Sequence, residues 1–333
     1  MSLMKGVDDG STQLADITVG GKINLFLNVK ERLENGYHTL ETLFLPIERP
    51  CDTMNIRLRK DGGCQSSPPQ GIRVICEDKG VNVGENTLGK AYSLYAAATG
   101  FAPPLTVSLT KGIPLGAGLG GGSADAAALL IFMQDYARQS GCADLDDHAL
   151  NSLAVRVGAD VPFFLRRKPA LATGIGEILR EVPHPCPDYY LLVVCPELQI
   201  STARAFAMLD EFRGQGQDDA IAVGAGEPRL SPEEISERLL TINRCQDSRF
   251  DAWNMELVNS FEPVVFAAWP ELSGYKQALL EHGAIHAMLS GSGSSLFGVF
   301  RDKAEAKRAE TALRHENVRL FLQKCDAGVS PSW

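Results

Sequence analysis

The sequence predicts an α+β protein, because extended and helical segments are interleaved irregularly along its 333 residues. We find no regular strand–helix–strand period and no internal repeat, which disfavours a doubly wound parallel sheet. A hydrophobic fraction of 44% provides material for an extensive core, and the length suits two domains. We place the domain junction in the Pro-rich stretch 182–187, which divides the chain into 1–185 and 186–333.

The first third of the chain is predicted to be mainly extended. Apolar and polar residues alternate over 17–29, and Asn35-Gly36 is a typical hairpin turn. Asn86 is a suitable N-cap for a helix over 87–98, which Gly100 would end. Further strands are predicted over 37–47, 54–58, 72–76 and 105–109.

Helical segments are more frequent after residue 123. The Ala-rich stretch from Ser123 to about residue 138 has a continuous apolar face, and Gly158 ends a second helix over 145–157. The polar segment 214–227 is expected to be a mobile loop, and Ser231 begins a typical helix start. Further helices are predicted to begin at Ser201 and Asp302 and to span 253–266 and 272–281. Further strands are predicted over 189–194, 287–289, 296–299 and 318–323.

Charge and cysteine content argue against several classes of function. A formal net charge of −9 disfavours nucleic acid as a partner, since proteins hold phosphate backbones with excess Lys and Arg. No segment approaches the ~20 apolar residues of a membrane span. None of the eight cysteines stands at C-x-x-C spacing or has a His at zinc-site spacing. We interpret them as scattered reduced thiols of a cytoplasmic protein.

The strongest motif is a glycine-rich loop between a predicted strand and a predicted helix. Five of the seven residues from 116 to 122 are glycines, which permit close backbone approach and positive φ angles. The N-terminus of the following helix adds unpaired N–H groups and a partial positive charge. We interpret the loop as a di- or triphosphate site, with a flexible turn as the alternative. The predicted phosphate-binding residues are Pro114, Leu115, Gly116, Ala117, Gly118, Leu119, Gly120, Gly121, Gly122, Ser123 and Ala124.

Two glycine patterns match other nucleotide-binding motifs without meeting their requirements. The stretch 116–121 fits G-x-G-x-x-G, but that fingerprint requires an acidic residue after a second strand, and Asp135 falls within a predicted helix. Residues 84–91 fit G-x-x-x-x-G-K but have Ala91 where a P-loop needs Ser or Thr. Both an oxidoreductase and a P-loop enzyme are therefore disfavoured.

Combined with two shorter elements, the loop resembles the pattern of the GHMP kinases, the family that includes galactokinase, homoserine kinase and mevalonate kinase. An N-terminal strand with Lys22 precedes the loop, and a Gly-Ser loop at 290–295 follows it. The likeness is greatest to the 4-diphosphocytidyl-2-C-methyl-D-erythritol kinases of the non-mevalonate isoprenoid route. The similar motifs are G-K-I-N-L-F-L at 21–27, G-Y-H-T-L at 36–40, G-A-D-V-P at 158–162, G-I-G-E at 174–177 and N-S-F-E at 259–262.

The chain departs from the family pattern at few places. Gly21 replaces the usual Ala, Asn35 replaces the usual Asp, and the polar segment 214–230 is longer, with a role that the sequence leaves open. The resemblance implies two α+β lobes with ATP and substrate in the cleft between them. The N-terminal lobe would resemble ribosomal protein S5 domain 2, and the C-terminal lobe would be a ferredoxin-like sandwich.

The resemblance also implies the roles of residues in phosphoryl transfer from ATP. Asp160 would accept the proton of the attacking hydroxyl, and Lys22 would keep Asp160 ionised and stabilise the transferring phosphoryl group. Mg²⁺ would bridge the β- and γ-phosphates, with Ser123 as a possible ligand and the other ligands open.

A small-molecule substrate, diphosphocytidyl methylerythritol, is implied by the same resemblance. Tyr37 and Phe206 would sandwich its cytosine, His38 would read the edge of the base, and Asn24 and Thr202 would contact other polar groups.

Two alternatives remain from the sequence. One is a GHMP kinase that acts on homoserine or mevalonate, which the Tyr37-His38 pair disfavours. The other is a sugar-binding regulator without catalysis, which the presence of both Lys22 and Asp160 disfavours. The sequence leaves the oligomeric state open.

Overall fold

The computed structural model describes residues 12–59, 71–78, 86–214, 234 and 257–325. Within these residues a six-stranded sheet is followed along the chain by a four-stranded sheet, and eight helices pack against them. The α+β class predicted from the sequence is therefore confirmed. No helix in this part of the chain is long and apolar enough to cross a membrane.

A long antiparallel hairpin is the basis of the first sheet. Its strands are β1 (Thr12–Arg32), β2 (His38–Leu58), β3 (Ile72–Cys76), β4 (Leu105–Thr110), β5 (Ala170–Thr173) and β6 (Ile178–Glu181). The order is β3-β4-β2-β5-β6, and β1 pairs with β2 to form the hairpin. The chain turns between β1 and β2 at Gly36, whose φ is +85°.

Strand β2 is continuous where the sequence predicts two strands, over 37–47 and 54–58. The predicted break contains Pro50, which has no N–H for strand pairing. In the structure the β1–β2 ladder shifts register between Gly20 and Lys22, opposite this proline. Because a β-bulge accommodates an unpaired residue without ending the strand, the hairpin continues past Pro50.

Four helices cover the first sheet, namely α1 (Thr87–Thr99), α2 (Gly121–Gln139), α3 (Asp147–Val157) and α4 (Val161–Arg166). The predicted ends of α1 are confirmed. The Asn86 side chain accepts a hydrogen bond of 2.8 Å from the Gly89 amide, and Gly100 ends the helix with φ +74°. The central helix is α2, whose Ala- and Leu-rich face is buried in the core of this lobe.

The second sheet has the topology of a ferredoxin-like fold. Its elements in chain order are β7 (Tyr190–Pro196), α5 (Thr202–Gly214), α6 (Glu262–Ala268), α7 (Pro270–Glu281), β8 (His286–Leu289), β9 (Leu296–Phe300), α8 (Lys303–Ala312) and β10 (Val318–Lys324). The strand order is β10-β7-β9-β8, and all neighbours are antiparallel. A βαββαβ chain with this strand order is the arrangement expected from the resemblance.

The sequence-based prediction omits α4, β5 and β6 and begins one helix too early. Strands of four residues are too short to show a clear period of two, and β5 and β6 are positioned by pairing with β2 and with each other. The helix predicted over 253–266 begins only at Glu262 within the described residues. The predicted loop beyond Gly214 and the helix start at Ser231 lie outside the described residues.

The two sheets share an apolar core. Ile23 and Leu25 of β1 belong to one buried cluster with Leu191 and Val193 of β7 and with Phe297 of β9. Each of these side chains is at most 1% exposed. Packing of β1 against the second sheet brings the two lobes together along one edge of the cleft described below. The exact domain junction at 185/186 stays a prediction.

We expect Leu129→Ala to lower the free energy of unfolding by ~2–5 kcal/mol, because Leu129 of α2 is fully buried and its truncation leaves a cavity. Leu280→Ala is the matched control, since Leu280 of α7 is 40% exposed. Its effect should stay within about 0.5 kcal/mol. Urea denaturation followed by circular dichroism measures both, and equal losses would contradict the packing of α2.

Candidate active site

A cleft of about 790 Å³ lies between the glycine loop, the β1–β2 hairpin and α5. All but one of the residues predicted to form the site line it. These are Lys22, Asn24, Tyr37, His38, Asp160, Thr202, Phe206 and residues 114–123. The exception is Ala124, which is fully buried in the core and therefore contributes packing rather than a ligand contact.

The backbone of the glycine loop directs its carbonyl groups into the protein. The carbonyl oxygens of Gly116, Ala117 and Leu119 accept hydrogen bonds of 3.3, 3.1 and 2.9 Å from the amides of Ile200, Ser295 and Lys22, respectively. Within the described residues, the amides of Gly118, Leu119 and Gly120 donate no hydrogen bond to the protein. Because backbone amides are strong donors, this arrangement leaves a set of N–H groups for an anion in the cleft.

The N-terminus of α2 extends this set of donors. Its N-cap is Gly120, which has φ +72° and no side chain that could cap the first amides of the helix. The first amides of a helix have no partner within the helix, and the helix dipole places a partial positive charge there. Both features stabilise a phosphate group, as the sequence motif predicts.

The two glycine loops of the chain contact each other closely at Gly118. This residue has φ +73°, and a Cβ added to it would overlap the carbonyl oxygen of Ser290. The Ser290 hydroxyl donates a hydrogen bond of 3.2 Å to the Gly118 carbonyl oxygen. Glycine is therefore required at 118 both by the backbone angle and by the contact with the second loop.

Asn259 holds this second loop in position, a role that the sequence does not predict. The residue is fully buried. Its Nδ2 donates hydrogen bonds of 2.8 Å to the carbonyl oxygens of Leu289 and Gly291, and its Oδ1 accepts one of 2.9 Å from the Phe261 amide. Leu289 and Gly291 lie on either side of Ser290. By binding both, the Asn259 side chain holds Ser290 in its contact with Gly118.

Lys22 is a buried cation at the centre of the site. Its Nζ donates hydrogen bonds of 2.6 Å to Asn24 Oδ1 and 3.0 Å to the Gly118 carbonyl oxygen. It lies 3.9 Å from Asp160 Oδ2 and 5.3 Å from the ring centre of Phe44. Burial lowers the pKa of Lys22, and the negative charge of Asp160 opposes this effect. The ammonium group thus connects β1, the glycine loop and the turn before α4.

Asp160 lines the cleft beside Lys22. It directly precedes α4, and one third of its side chain is exposed, whereas that of Lys22 is 5% exposed. The two residues are brought together by packing of the first lobe, since 138 positions separate them in sequence. The arrangement is a partly solvated carboxylate beside a buried ammonium group, next to the phosphate site.

A second buried cation, Lys111, lines the cleft beside the glycine loop and was not predicted from the sequence. Lys111 Nζ donates a hydrogen bond of 2.9 Å to Asp125 Oδ2 of α2 and another to Asp52 of β2. Asp52 also accepts hydrogen bonds of 2.7 and 2.8 Å from the amides of Gly112 and Ile113. Burial raises the pKa of Asp125 to about 7, although Lys111 counteracts it. These contacts tie the start of the loop to β2 and α2.

His38 and Phe206 form a stacked pair on the far side of the cleft. Their ring centres are 4.7 Å apart at an angle of 18°. His38 Nε2 lies 2.6 Å from Asp210 Oδ1, and His38 is 5% exposed. Thr202, Phe206 and Asp210 are spaced by four residues on α5 and all line the cleft. This spacing is the signal by which Asp210 could have been found from the sequence.

The other residues predicted to bind substrate differ in their exposure and in whether protein groups already occupy their polar atoms. Tyr37 is 59% exposed at the end of the hairpin. The Thr202 hydroxyl lies 3.3 Å from that of Ser292. Asn24 is 2% exposed, and both of its polar atoms have protein partners, since Nδ2 donates a hydrogen bond of 2.8 Å to Thr42. The direct contact of Asn24 in this structure is therefore with Lys22.

Comparison with protein families gives two matches. Residues 86–168 match the model of the GHMP kinases N terminal domain, and residues 242–319 match that of the GHMP kinases C terminal domain. The first match contains the glycine loop and Asp160.

Curated relatives match most of the chain. It is 41% identical over 302 residues to a 4-diphosphocytidyl-2-C-methyl-D-erythritol kinase of Nitratidesulfovibrio vulgaris, covering 91% of this chain and 96% of that protein. A protein of the same name from Lawsonia intracellularis is 36% identical over 316 residues, covering 94% and 97%.

Solved structures agree with these relatives. A crystal structure of 4-(cytidine 5'-diphospho)-2C-methyl-D-erythritol kinase aligns with a TM-score of 0.71 and 30% identity, covering 94% of this chain and all of that one. Homoserine kinase from Cytophaga hutchinsonii aligns with a TM-score of 0.64 and 17% identity, covering 98% of both chains, which shows a shared fold only.

We expect Gly118→Ala to weaken binding of a fluorescent ATP analogue roughly tenfold to a hundredfold, because displacement of the loop misplaces its amide donors. Gly100→Ala is the matched control. Gly100 has nearly the same φ, +74°, but an added Cβ would meet nothing within 4 Å, and the residue does not line the cleft. The control should lose about 1–2 kcal/mol of stability and no affinity. Unchanged affinity in both folded variants would contradict the phosphate site.

Proposed function

The chain belongs to the 4-diphosphocytidyl-2-C-methyl-D-erythritol kinases of the GHMP kinase family, and we propose that its cleft carries out that reaction as follows. The γ-phosphate of ATP is transferred to the 2-hydroxyl of 4-diphosphocytidyl-2-C-methyl-D-erythritol, which gives the 2-phosphate and ADP. The reaction serves the methylerythritol phosphate route to isoprenoid precursors. The observation that carries the mechanism is the position of Lys22 and Asp160 beside the free amides of the glycine loop.

The glycine loop and the start of α2 bind the triphosphate of ATP. Their N–H groups neutralise phosphate charge without requiring excess basic side chains, which is compatible with a net charge of −9. The amides need little reorganisation when ATP arrives, because hydrogen bonds to the loop carbonyls already fix the backbone. The loop thereby positions the γ-phosphate near Lys22.

Asp160 accepts the proton of the attacking 2-hydroxyl. Its partial exposure gives the hydroxyl access to the carboxylate, and the ammonium group of Lys22 lies 3.9 Å from it. The O–H bond breaks as oxygen attacks the γ-phosphorus, and the bond to the β,γ-bridging oxygen breaks on the opposite side. ADP leaves with that oxygen.

Lys22 stabilises the charge that develops on the transferring phosphoryl group. An ammonium group has three N–H donors, and Asn24 and Gly118 take two of them. The third is available to the phosphoryl oxygens or to Asp160. A buried ammonium group interacts more strongly with such charge than an exposed one, since water screens it less.

The cleft also provides suitable donors for Mg²⁺. The Ser123 hydroxyl and the Asp160 carboxylate both line it, and Mg²⁺ prefers oxygen ligands, usually one or two protein groups together with phosphates and waters. These two groups would hold the ion, which would supply charge neutralisation for the phosphates of ATP. Since ATP is the phosphate donor, we place the activity in the cytoplasm.

The cytidine head of the substrate binds beside α5. If the Nε2–H of neutral His38 is donated to Asp210, Nδ1 becomes an acceptor. An acceptor matches the exocyclic amino group of cytosine, whereas uracil has a carbonyl group at that position. Phe206 stacks on the His38 ring, and the exposed Tyr37 is free to cover the base. The sandwich of cytosine between Tyr37 and Phe206 stays a prediction. In this scheme Asp210 sets the specificity through His38.

We expect Asp160→Asn to reduce kcat by about 10²–10⁴-fold while ATP still binds. The assay combines ATP, Mg²⁺ and the diphosphocytidyl substrate and follows the product by phosphorus NMR. Asp135→Asn is the control, because this carboxylate is exposed and its only described partner is Arg138. Lys22→Met should also be severe, and the double variant should cost far less than the product of the two effects. A near-normal kcat for Asp160→Asn would overturn its assignment.

We expect His38→Ala and Phe206→Ala each to raise KM for the cytidyl substrate roughly tenfold, with KM for ATP nearly unchanged, because stacking and edge contacts are worth about 1–3 kcal/mol per base. His38→Ala should also reduce the preference for cytidyl over uridyl substrate. His315→Ala and Tyr275→Ala are matched controls, since these residues form a stacked pair remote from the cleft. Equal losses of ATP and cytidyl binding would exclude a pyrimidine site at this position.

A further inference from the structure

Three metal-binding side chains converge at a place that the kinase reaction does not use. His184 and Cys186 lie in the Pro-rich segment between β6 and β7, and Cys325 directly follows β10. One donor atom from each residue lies within 4.8 Å of the others. None of the three lines the cleft. The cluster therefore lies outside the cleft. It joins the segment between β6 and β7 to the end of β10.

The separation of the two sulfur atoms suits a tetrahedral metal site. Zinc–sulfur bonds of about 2.3 Å at the tetrahedral angle place two sulfur ligands about 3.8 Å apart. The Sγ atoms of Cys186 and Cys325 are 3.8 Å apart. The pair can therefore bind one ion with little movement of either side chain.

Backbone hydrogen bonds hold the cluster in this arrangement. The Cys325 amide donates to the Tyr189 carbonyl oxygen at 2.7 Å, and the Asp188 amide donates to the Cys325 carbonyl oxygen at 2.9 Å. His184 Nδ1 accepts a hydrogen bond of 3.2 Å from the Cys186 amide. This hydrogen bond occupies the Nδ1 lone pair. An ion would therefore bind the other ring nitrogen of His184 or take the place of the Cys186 amide at Nδ1.

The chemistry of the three donors selects the class of ion. Two thiolates and one imidazole form a soft, nitrogen- and sulfur-rich set that prefers Zn²⁺ to Mg²⁺ or Ca²⁺. Two thiolates also neutralise a divalent ion, which suits an apolar surrounding in which Cys186 is 1% and Cys325 6% exposed. His184 is only partly buried and provides the side from which an ion and a water ligand can enter.

We propose that His184, Cys186 and Cys325 form a binding site for one Zn²⁺ ion. Each thiol loses its proton to solvent as its sulfur–zinc bond forms, His184 contributes a nitrogen lone pair, and a water molecule completes the tetrahedron. The bound ion links the segment after β6 to the end of β10 and thereby stabilises the contact between the two lobes.

Free thiols are the starting state for this reaction. Each of the two thiols must lose its proton for its sulfur atom to bind zinc. Binding of one Zn²⁺ ion should therefore release about two protons, a result that exposed carboxylates would not produce.

The experiment uses the full chain, reduced and freed of metal. Co²⁺ is titrated under reducing conditions, and sulfur-to-cobalt charge-transfer absorption is recorded, followed by competition with Zn²⁺. We expect one ion per chain, about two protons released in weak buffer, and an increase in Tm with Zn²⁺. Cys186→Ser and Cys325→Ser should each reduce affinity by more than the ~10–100-fold typical of losing an outer hydrogen-bond partner of a metal ligand.

Cys195→Ser is the matched control, because Cys195 is also a buried thiol of the second sheet but interacts with Ser295. It should leave Co²⁺ affinity unchanged. Kinase activity at saturating substrates serves as the test that each variant is folded. Unchanged charge-transfer absorption in both Cys186→Ser and Cys325→Ser would overturn the proposal, as would a reduced wild type that binds no Co²⁺ and forms only a Cys186–Cys325 disulfide on oxidation.

Discussion

The buried ammonium group of Lys22 is the interaction on which the site depends. Hydrogen bonds to Asn24 and to the Gly118 carbonyl oxygen, together with the nearby charge of Asp160, replace the water that this group loses on burial. A buried charge is costly unless it is paired and hydrogen-bonded, so each of these partners must be held in place. The bulge before Lys22 and the second glycine loop behind Gly118 serve that requirement.

The protein binds a polyanion although it is itself acidic. Backbone amides of the glycine loop and the N-terminus of α2 supply local positive potential that the net charge does not reveal. Lys111 adds a cation beside the loop, but Asp52 and Asp125 compensate its charge. The positive potential at the phosphate site therefore comes from the orientation of backbone N–H groups. The chain as a whole carries more carboxylates than basic side chains.

Much of the fold could be predicted from local patterns. The caps of α1, the Ala-rich helix α2 and most strands of the second sheet follow from capping residues and apolar periodicity. Strand β2 was divided at Pro50, and β5 and β6 were missed, because a bulge and pairing with distant strands decide these elements. Ala124 was assigned to the site by continuity of a motif, whereas helix geometry turns it into the core.

The sequence by itself determined the family, the glycine loop and the residue types that phosphoryl transfer requires, because short motifs encode local backbone geometry and chemistry. Only the tertiary structure decided which side chains meet. Asp210 reaches His38 across 172 positions, and Cys325 reaches Cys186 across 139. Such contacts depend on strand order and on the shared core of the two sheets. No local sequence pattern predicts that residues so far apart in the chain are in contact.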